Sequence, residues 1–242
     1  MRVVVVGCGG RMGSEVCRLL EVQQDMALVG GIEAPGHKLI GTGLGSGRVS
    51  DQLAQVVGQA DCIVDFSTAE ATAPNARIVA DAGRPFVTGV TGLSDTAFAV
   101  LRECAVRIPL VHAPNFSVGI SLLTRFVVEA ARALGADYDV EIVETHHRQK
   151  KDAPSGTAAV LAREIASAFG KEVPVTSVRL GQVPGTHEVL FDSVYESLRL
   201  VHEVRDRRVF AVGALVAAEW MRGRTGVYTV KDILVESDRY ES

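Results

Sequence analysis

Residues 1–13 read MRVVVVGCGGRMG, an apolar run that breaks abruptly into glycines. Val3–Val6 is short, β-branched and wholly apolar, the pattern of a parallel strand buried on both faces. Gly7 then permits a tight turn, Gly9 and Gly10 let the backbone approach a pyrophosphate, and Gly13 permits a helix to pack closely on the strand. A helical pattern through Val16, Leu19 and Leu20 follows. Its N-terminus faces the space the glycines leave open, which suits phosphate. The last glycine comes one residue later than in a strict G-x-G-x-x-G. Glu33, about 20 residues further on, ends the next apolar run, where an acid bonds adenosine ribose hydroxyls.

Outward from this loop, strand and helix patterns alternate. Ala27–Ile32, Cys62–Phe66, Pro85–Thr88 and Ile108–His112 read as strands. Helices are expected near Asp51–Val57, over Ala69–Ala82, and from an N-cap at Ser94 to about Ala105. This βαβ rhythm predicts an α/β fold with a doubly wound parallel sheet of Rossmann type. Ligands bind such sheets at the carboxyl ends of the strands. Asp65-Phe66-Ser67, Gly89-Val90-Thr91-Gly92 and Ala113-Pro114-Asn115-Phe116 all fall there, and three such turns in series favour a cofactor cleft.

The rhythm changes after Asn115. A long helix is expected over Val118–Ala133, a strand over Tyr138–Thr145, and a helix over 156–168 that Gly170 ends. Strand patterns follow at Val173–Leu180, His187–Phe191 and Ser197–Val204, implying a second, mixed or antiparallel open sheet. A helix near Gly213–Met221 and a strand near Val227–Val230 close the chain.

The chain has 242 residues, 47% hydrophobic and 22% charged, enough apolar material for one large or two modest cores. A net charge of −4, without basic runs, argues against nucleic acid or a membrane surface as partner. No apolar run reaches membrane-spanning length. Cys8, Cys17, Cys62 and Cys104 lack CxxC or metal spacing, and no export signal is recognisable, so free thiols in the cytoplasm are expected.

Chemistry concentrates in residues 141–158, EIVETHHRQKKDAPSGTA. Only five of the 25 Lys and Arg are Lys, and two stand here, Lys150 and Lys151. On a strand, adjacent His146 and His147 point to opposite faces, so one suits proton transfer while the other binds substrate or packs. Lys150 suits an anion or a proton donation, whereas Lys151 reads as a solvated charge. Ser155 is a good N-cap. Gly156 and Thr157 then offer first-turn N–H groups to a carboxylate. Adjacent His and nearby lysines argue against a metal. A small anionic substrate that needs a proton is the expectation.

Together GCGGRMG, GVTG, APNFSVGI, ETHHRQKKDAPSGTA and FAVGALVAAEW closely resemble dihydrodipicolinate reductase, over residues 3 to about 232. The resemblance implies a Rossmann-like dinucleotide domain (1–116 and 213–242) with an inserted α+β substrate and oligomerisation domain (117–212) carrying a mixed open sheet. It implies a homotetramer built through the substrate domains. The implied reaction is NAD(P)H-dependent reduction of 4-hydroxy-tetrahydrodipicolinate to tetrahydrodipicolinate, in lysine and diaminopimelate biosynthesis. By motif position His146 would be the acid/base and Lys150 the second proton donor. His147, Ser155, Gly156 and Thr157 would bind the dicarboxylate substrate. Gly7, Cys8, Gly9, Gly10, Arg11, Met12, Glu33, Phe66, Gly89, Val90, Thr91, Ala113, Pro114, Asn115 and Phe116 would hold the cofactor.

Two positions depart from the family pattern. Val90 replaces a hydroxyl residue, and Ala34 stands where many members carry Arg after the acid. Without that Arg, Glu33 favours NADH over NADPH, with His37 and Lys38 a partial substitute if their loop folds back. Two other classes fit the sequence less well: a reductase with a cysteine nucleophile, for which neither Cys8 nor Cys104 is suitably placed, and a non-catalytic nucleotide sensor, against which the intact HHxxK and SGT argue.

Overall fold

The computed structural model describes residues 1–237; residues 238–242, the tail of the range expected in the first domain, lie outside them. The first unit comprises Met1–Phe116 and the chain from Arg208 onward. In order it contains β1 (Arg2–Val6), α1 (Arg11–Val22), β2 (Ala27–Ile32), β3 (Gly43–Leu44), β4 (Gly47–Ser50), α2 (Leu53–Val56), β5 (Cys62–Asp65), α3 (Ala69–Asp81), β6 (Phe86–Thr88), α4 (Asp95–Ala105) and β7 (Pro109–His112).

The second unit, Ser117–Arg207, holds α5 (Val118–Leu134), β8 (Asp139–His146), α6 (Gly156–Phe169), β9 (Val175–Arg179), β10 (Thr186–Asp192) and β11 (Ser197–Glu203). The chain then returns through α7 (Arg208–Trp220), β12 (Gly226–Tyr228) and α8 (Val230–Ser237).

In the first unit the strand order is β12-β7-β6-β5-β1-β2-β4-β3, parallel except for the β3–β4 hairpin. Strand β1 therefore lies between β2 and β5, where the chain reverses its direction of travel across the sheet. The carboxyl edge at that switch is where such folds bind ligands. Alternation along β1 serves two cores: Val3 and Val5 pack with α1 and α7, Val4 and Val6 with α3 and α4. All four are buried, each contributing roughly 1.5–3 kcal/mol.

The second unit has its own core. Its sheet runs β11-β10-β8-β9, with β8 parallel to β9 and the other pairs antiparallel. The crossover between β8 and β9 is α6, as a parallel pair requires. Helices α5 and α6 bring Ile120, Leu123, Val127, Leu161 and Ile165 against Val140, Ile142, Val189 and Phe191. Both helices begin at serine N-caps whose hydroxyls accept first-turn N–H groups, Ser117 from Ile120 and Ser155 from Ala158. Gly170 ends α6 at φ 78°, as its position in the sequence predicts.

Four expectations need correction. The hairpin β3–β4 is absent from the sequence reading because its strands are short and glycine-rich. The helix expected at Asp51–Val57 is a single turn, α2, followed by a 3₁₀ turn at Val57–Gln59. Helix α7 starts at Arg208, so the chain re-enters the first unit there rather than at residue 213. The last strand stops at Tyr228, and Val230 already opens α8, whose turn is closed by Thr229 and Asp232.

Candidate active site

In the first unit the glycine loop is closed on itself. Gly7 has φ 73°, and its carbonyl accepts from Gly10 N–H at 3.0 Å, turning the chain into α1. A Cβ on Gly13 would stand 2.0 Å from that same carbonyl, so only glycine fits there. Arg11 and Met12 open the helix. Cys8 is buried beside the loop, and burial, followed by the charge of Glu33, pushes its thiol up to about 11. Burial likewise raises Cys17 and Cys62 to about 12 and raises Cys104. All four thiols are buried and raised by it, an environment that disfavours the thiolate a cysteine nucleophile needs.

Glu33 caps the loop from the side: its Oε1 accepts from Gly9 N–H at 2.6 Å. The following loop does fold back, since a Cβ on Gly9 would lie 2.9 Å from the His37 ring and 3.1 Å from Glu33. The β5 and β6 turns complete a cavity of about 250 Å³ lined by Arg11, Met12, Phe66, Ser67, Thr68, Ala69, Gly89, Val90 and Thr91. Gly89 is pressed against Phe66; a Cβ there would be 2.2 Å from the ring. Phe116 stacks edge-on against Phe66 at 6.1 Å, bringing the 113–116 turn to the same edge. Ala113 is buried, and its N–H donates to the Thr88 carbonyl at 3.2 Å; Pro114 is exposed and Asn115 half-buried. Val90 is buried, with its N–H on the Thr88 hydroxyl at 3.3 Å.

The sequence places Asp65 and Ser67 in a turn at the cleft without giving either a task; the structure gives them partners. Asp65 is fully buried and raised by that burial. It accepts from Ser67 N–H at 3.0 Å and from the Thr88 hydroxyl at 3.1 Å, tying the two turns together. The buried Ser67 hydroxyl stands in the cavity lining beside Asp65. A glycine loop that excludes side chains, leading into the first residues of α1 that line this cavity with the Ser67 side chain, fits a dinucleotide.

In the second unit the polar segment begins on the helix-covered face of β8. The buried row Val140, Ile142 continues as Glu144 and His146. Strand register places Glu144 opposite His187 of β10 and Ser177 of β9, and His187 opposite His202 of β11. His146 pairs with Arg179 one step along. A polar row thus crosses all four strands beneath the starts of α5 and α6.

Glu144 is its centre. Arg179 donates to it twice, at 3.0 and 2.7 Å, Ser155 N–H donates at 3.2 Å, and His146 bonds it through Nδ1. Burial alone would raise this carboxyl, but the hydrogen bonds from Arg179, Ser177 and His146 overcome it and hold the value at about 2. His146 is itself nearly buried, and that burial lowers it although Glu144 pulls the other way. Its ring meets His187 edge-on at 5.3 Å. Burial takes His187 down to about 4.

Strand β8 ends at His146, so His147 starts a turn, closed by Lys150 N–H on its carbonyl at 3.1 Å, instead of facing oppositely on a strand. The His147 Nδ1 is buried without a partner among the described residues. Lys150 lies 2.9 Å from Asp152, which it holds below the usual carboxylate range. The chain then passes through a cis Ala153–Pro154 peptide into Ser155. Ser155 is buried, its hydroxyl shared between Ala158 N–H and the His187 ring at 3.1 Å, so it supports the helix start from behind. Gly156 is exposed, with open space where a Cβ would be, and Thr157 is half-buried. Among the described residues no three His, Cys, Asp or Glu side chains gather as a metal site, and no helix is long and apolar enough to cross a membrane.

Residues 1–116 match the family model for the N-terminus of dihydrodipicolinate reductase, and 119–234 match that for its C-terminus. The chain belongs to the dihydrodipicolinate reductase family. It is 37% identical to the 4-hydroxy-tetrahydrodipicolinate reductase of Syntrophus aciditrophicus, over 97% of this chain and 98% of that one. It is 39% identical to the same-named protein of Afipia carboxidovorans, over 97% of both. Its fold is that of a dipicolinate-bound dihydrodipicolinate reductase from Paenisporosarcina sp. TG-14, with a TM-score of 0.84 over 95% of this chain and 97% of that chain at 24% identity.

Proposed function

We propose that this chain uses NAD(P)H to reduce 4-hydroxy-tetrahydrodipicolinate to tetrahydrodipicolinate, the 4-hydroxyl leaving as water, on the route to diaminopimelate and lysine in the cytoplasm. The observation that carries it is the buried Glu144–His146 pair joined through Ser155 to the start of α6. It sets a proton-exchanging imidazole beside an anion-binding helix end. The relatives named above support the substrate.

The first unit binds the cofactor through Gly7–Met12, Glu33, Phe66, Gly89–Thr91 and Ala113–Phe116. When bound, NAD(P)H supplies the hydride. The protein's own contribution is to hold the dicarboxylate and move a proton. Gly156 and Thr157 N–H groups, favoured by the helix dipole, take one carboxylate. Ser155 keeps that turn in place, and His147, with its unpartnered Nδ1, offers a further contact. Lys150 releases Asp152 to face the substrate and stabilises the charge that develops. His146 then donates to the electron-rich carbon left after reduction, a contribution of typically ~10²–10⁴-fold.

Glu33 without a following Arg favours NADH. The second unit would also assemble a homotetramer, for which the outer face of its sheet offers Val201, 56% exposed and in register with Glu188 and Val143. Oxidation of NADH, followed by its absorbance, should depend on 4-hydroxy-tetrahydrodipicolinate; cofactor binding without any turnover would reduce the protein to a nucleotide sensor.

A further inference from the structure

We propose that Glu144, clamped by Arg179, is the positioning residue that presents Nε2 of His146 to the substrate, and that the missing side chain of Gly185 keeps that nitrogen open. The inference rests on His146 being the proton donor, as read above.

The carboxylate of Glu144 has no exposed surface, so it cannot touch substrate. It acts through its neighbours. A carboxylate accepts at about four lone-pair sites, and donors crowd them from every side: two Arg179 N–H groups, Ser155 N–H, the Ser177 side chain and His146 Nδ1. An ionised carboxylate is an acceptor only, so Nδ1 must carry hydrogen in both charge states of the ring. The proton that comes and goes is then the one on Nε2. Arg179 matters because it keeps Glu144 ionised in a buried place. Were Glu144 protonated, the tautomer of His146 would be undetermined.

Gly185, just before β10, is on the other side of the ring. A Cβ built there would stand 3.0 Å from Nε2 and 3.3 Å from Cδ2. Its carbonyl is held by Val204 N–H at 2.9 Å, which keeps this backbone in place. Any larger residue would therefore cover the nitrogen that Glu144 has freed.

The charges around His146 come from every element packed on it: Glu144 beside it on β8, Arg179 on β9, His187 on β10 and Lys150 on the following turn. Only Glu144 favours the protonated ring. Glu144→Gln keeps the shape and removes that charge, so the proton should leave His146 at lower pH. An acid donor fails once deprotonated, and the alkaline limb of kcat should move toward acid by about one unit or more.

The experiment is a kcat–pH profile of the full-length protein with saturating NADH and substrate, for wild type, Glu144→Gln, Gly185→Ala and His146→Ala. The expected results are an acid-shifted limb for Glu144→Gln and a loss of about tenfold or more for Gly185→Ala with an unmoved limb and unchanged NADH binding. An inactive His146→Ala alongside a Glu144→Gln limb identical to wild type would overturn the positioning role. Wild-type turnover in Gly185→Ala would overturn the access role. Normal turnover in His146→Ala would instead remove the reading beneath both. Histidine ¹⁵N spectra of the unaltered protein give a check that needs no variant to fold: neutral His146 should be the Nδ1–H tautomer, and Nε2–H would refute the assignment.

Discussion

His187 Nε2 lies 3.1 Å from the hydroxyl of Ser155, the residue that caps α6, and the same relationship recurs at 3.1 Å between His202 and Ser117, the cap of α5. Each helix of the second unit is thus tied at its first residue to a histidine of the sheet. The buried histidines carry a cost. Burial first, then the neighbouring His146, brings His187 to about 4 against 6.5 in an unfolded chain.

The unfolded chain therefore binds the proton more readily, and stability is present above pH 6.5 and lost as pH falls toward 4. The difference corresponds to about 3 kcal/mol. His146 and His202, also lowered, act with the same sign, and Glu144 adds its own loss below 4.5. Asp65, raised by burial in the first unit, acts oppositely. Urea midpoints at pH 7.5 and 4.5 should differ strongly for wild type and less for His187→Gln. An equal drop in both would show that His187 is not the sensor.

His146→Ala and Lys150→Ala should each lower kcat by at least ~10²-fold while NADH binding, carried by the other unit, stays nearly unchanged. Steady-state rates with parallel fluorescence titration of NADH check this. Near-normal turnover in both would end the proposed mechanism.

Thr157→Val keeps the backbone N–H but removes the hydroxyl, a further donor to the same carboxylate, and should raise KM for the dicarboxylate by about tenfold, the loss of roughly one charge-assisted hydrogen bond, with kcat and the cofactor Kd little changed. Gly156 has open space above it, so a carboxylate can approach the helix end without rearrangement. A dicarboxylate-bound crystal structure with that end vacant would contradict the assignment.

The choice of cofactor follows from Glu33. Its carboxylate already accepts from Gly9 N–H and would accept from ribose hydroxyls, but it repels a 2′-phosphate. His37 does return to the loop, close to Gly9, yet Ala34 supplies no guanidinium for bidentate contact. kcat/KM should favour NADH at low ionic strength, where screening is weakest, and Ala34→Arg should shift the ratio toward NADPH. A tenfold or greater preference of the wild type for NADPH would show that His37 and Lys38 reach the phosphate.

Sequence by itself determined the kind and order of most elements here. Val3–Val6, the glycines after it, the N-caps Ser94 and Ser155 and the stop at Gly170 are local signals, carried by periodicity and by backbone demands a few residues long. The family motif located His146, Lys150 and the α6 start for the same reason: they are neighbours along the chain. Glu144 stood two residues before His146 on a face shared with Val140 and Ile142, and that alternation was the one available hint of its burial. Arg179, Gly185 and His187 carried none. What brings them to His146 is the register of β8 against β9 and β10 and the loop between those strands. Only the tertiary structure decides this, because such pairings join residues tens of positions apart and are settled by the whole buried face of the sheet at once.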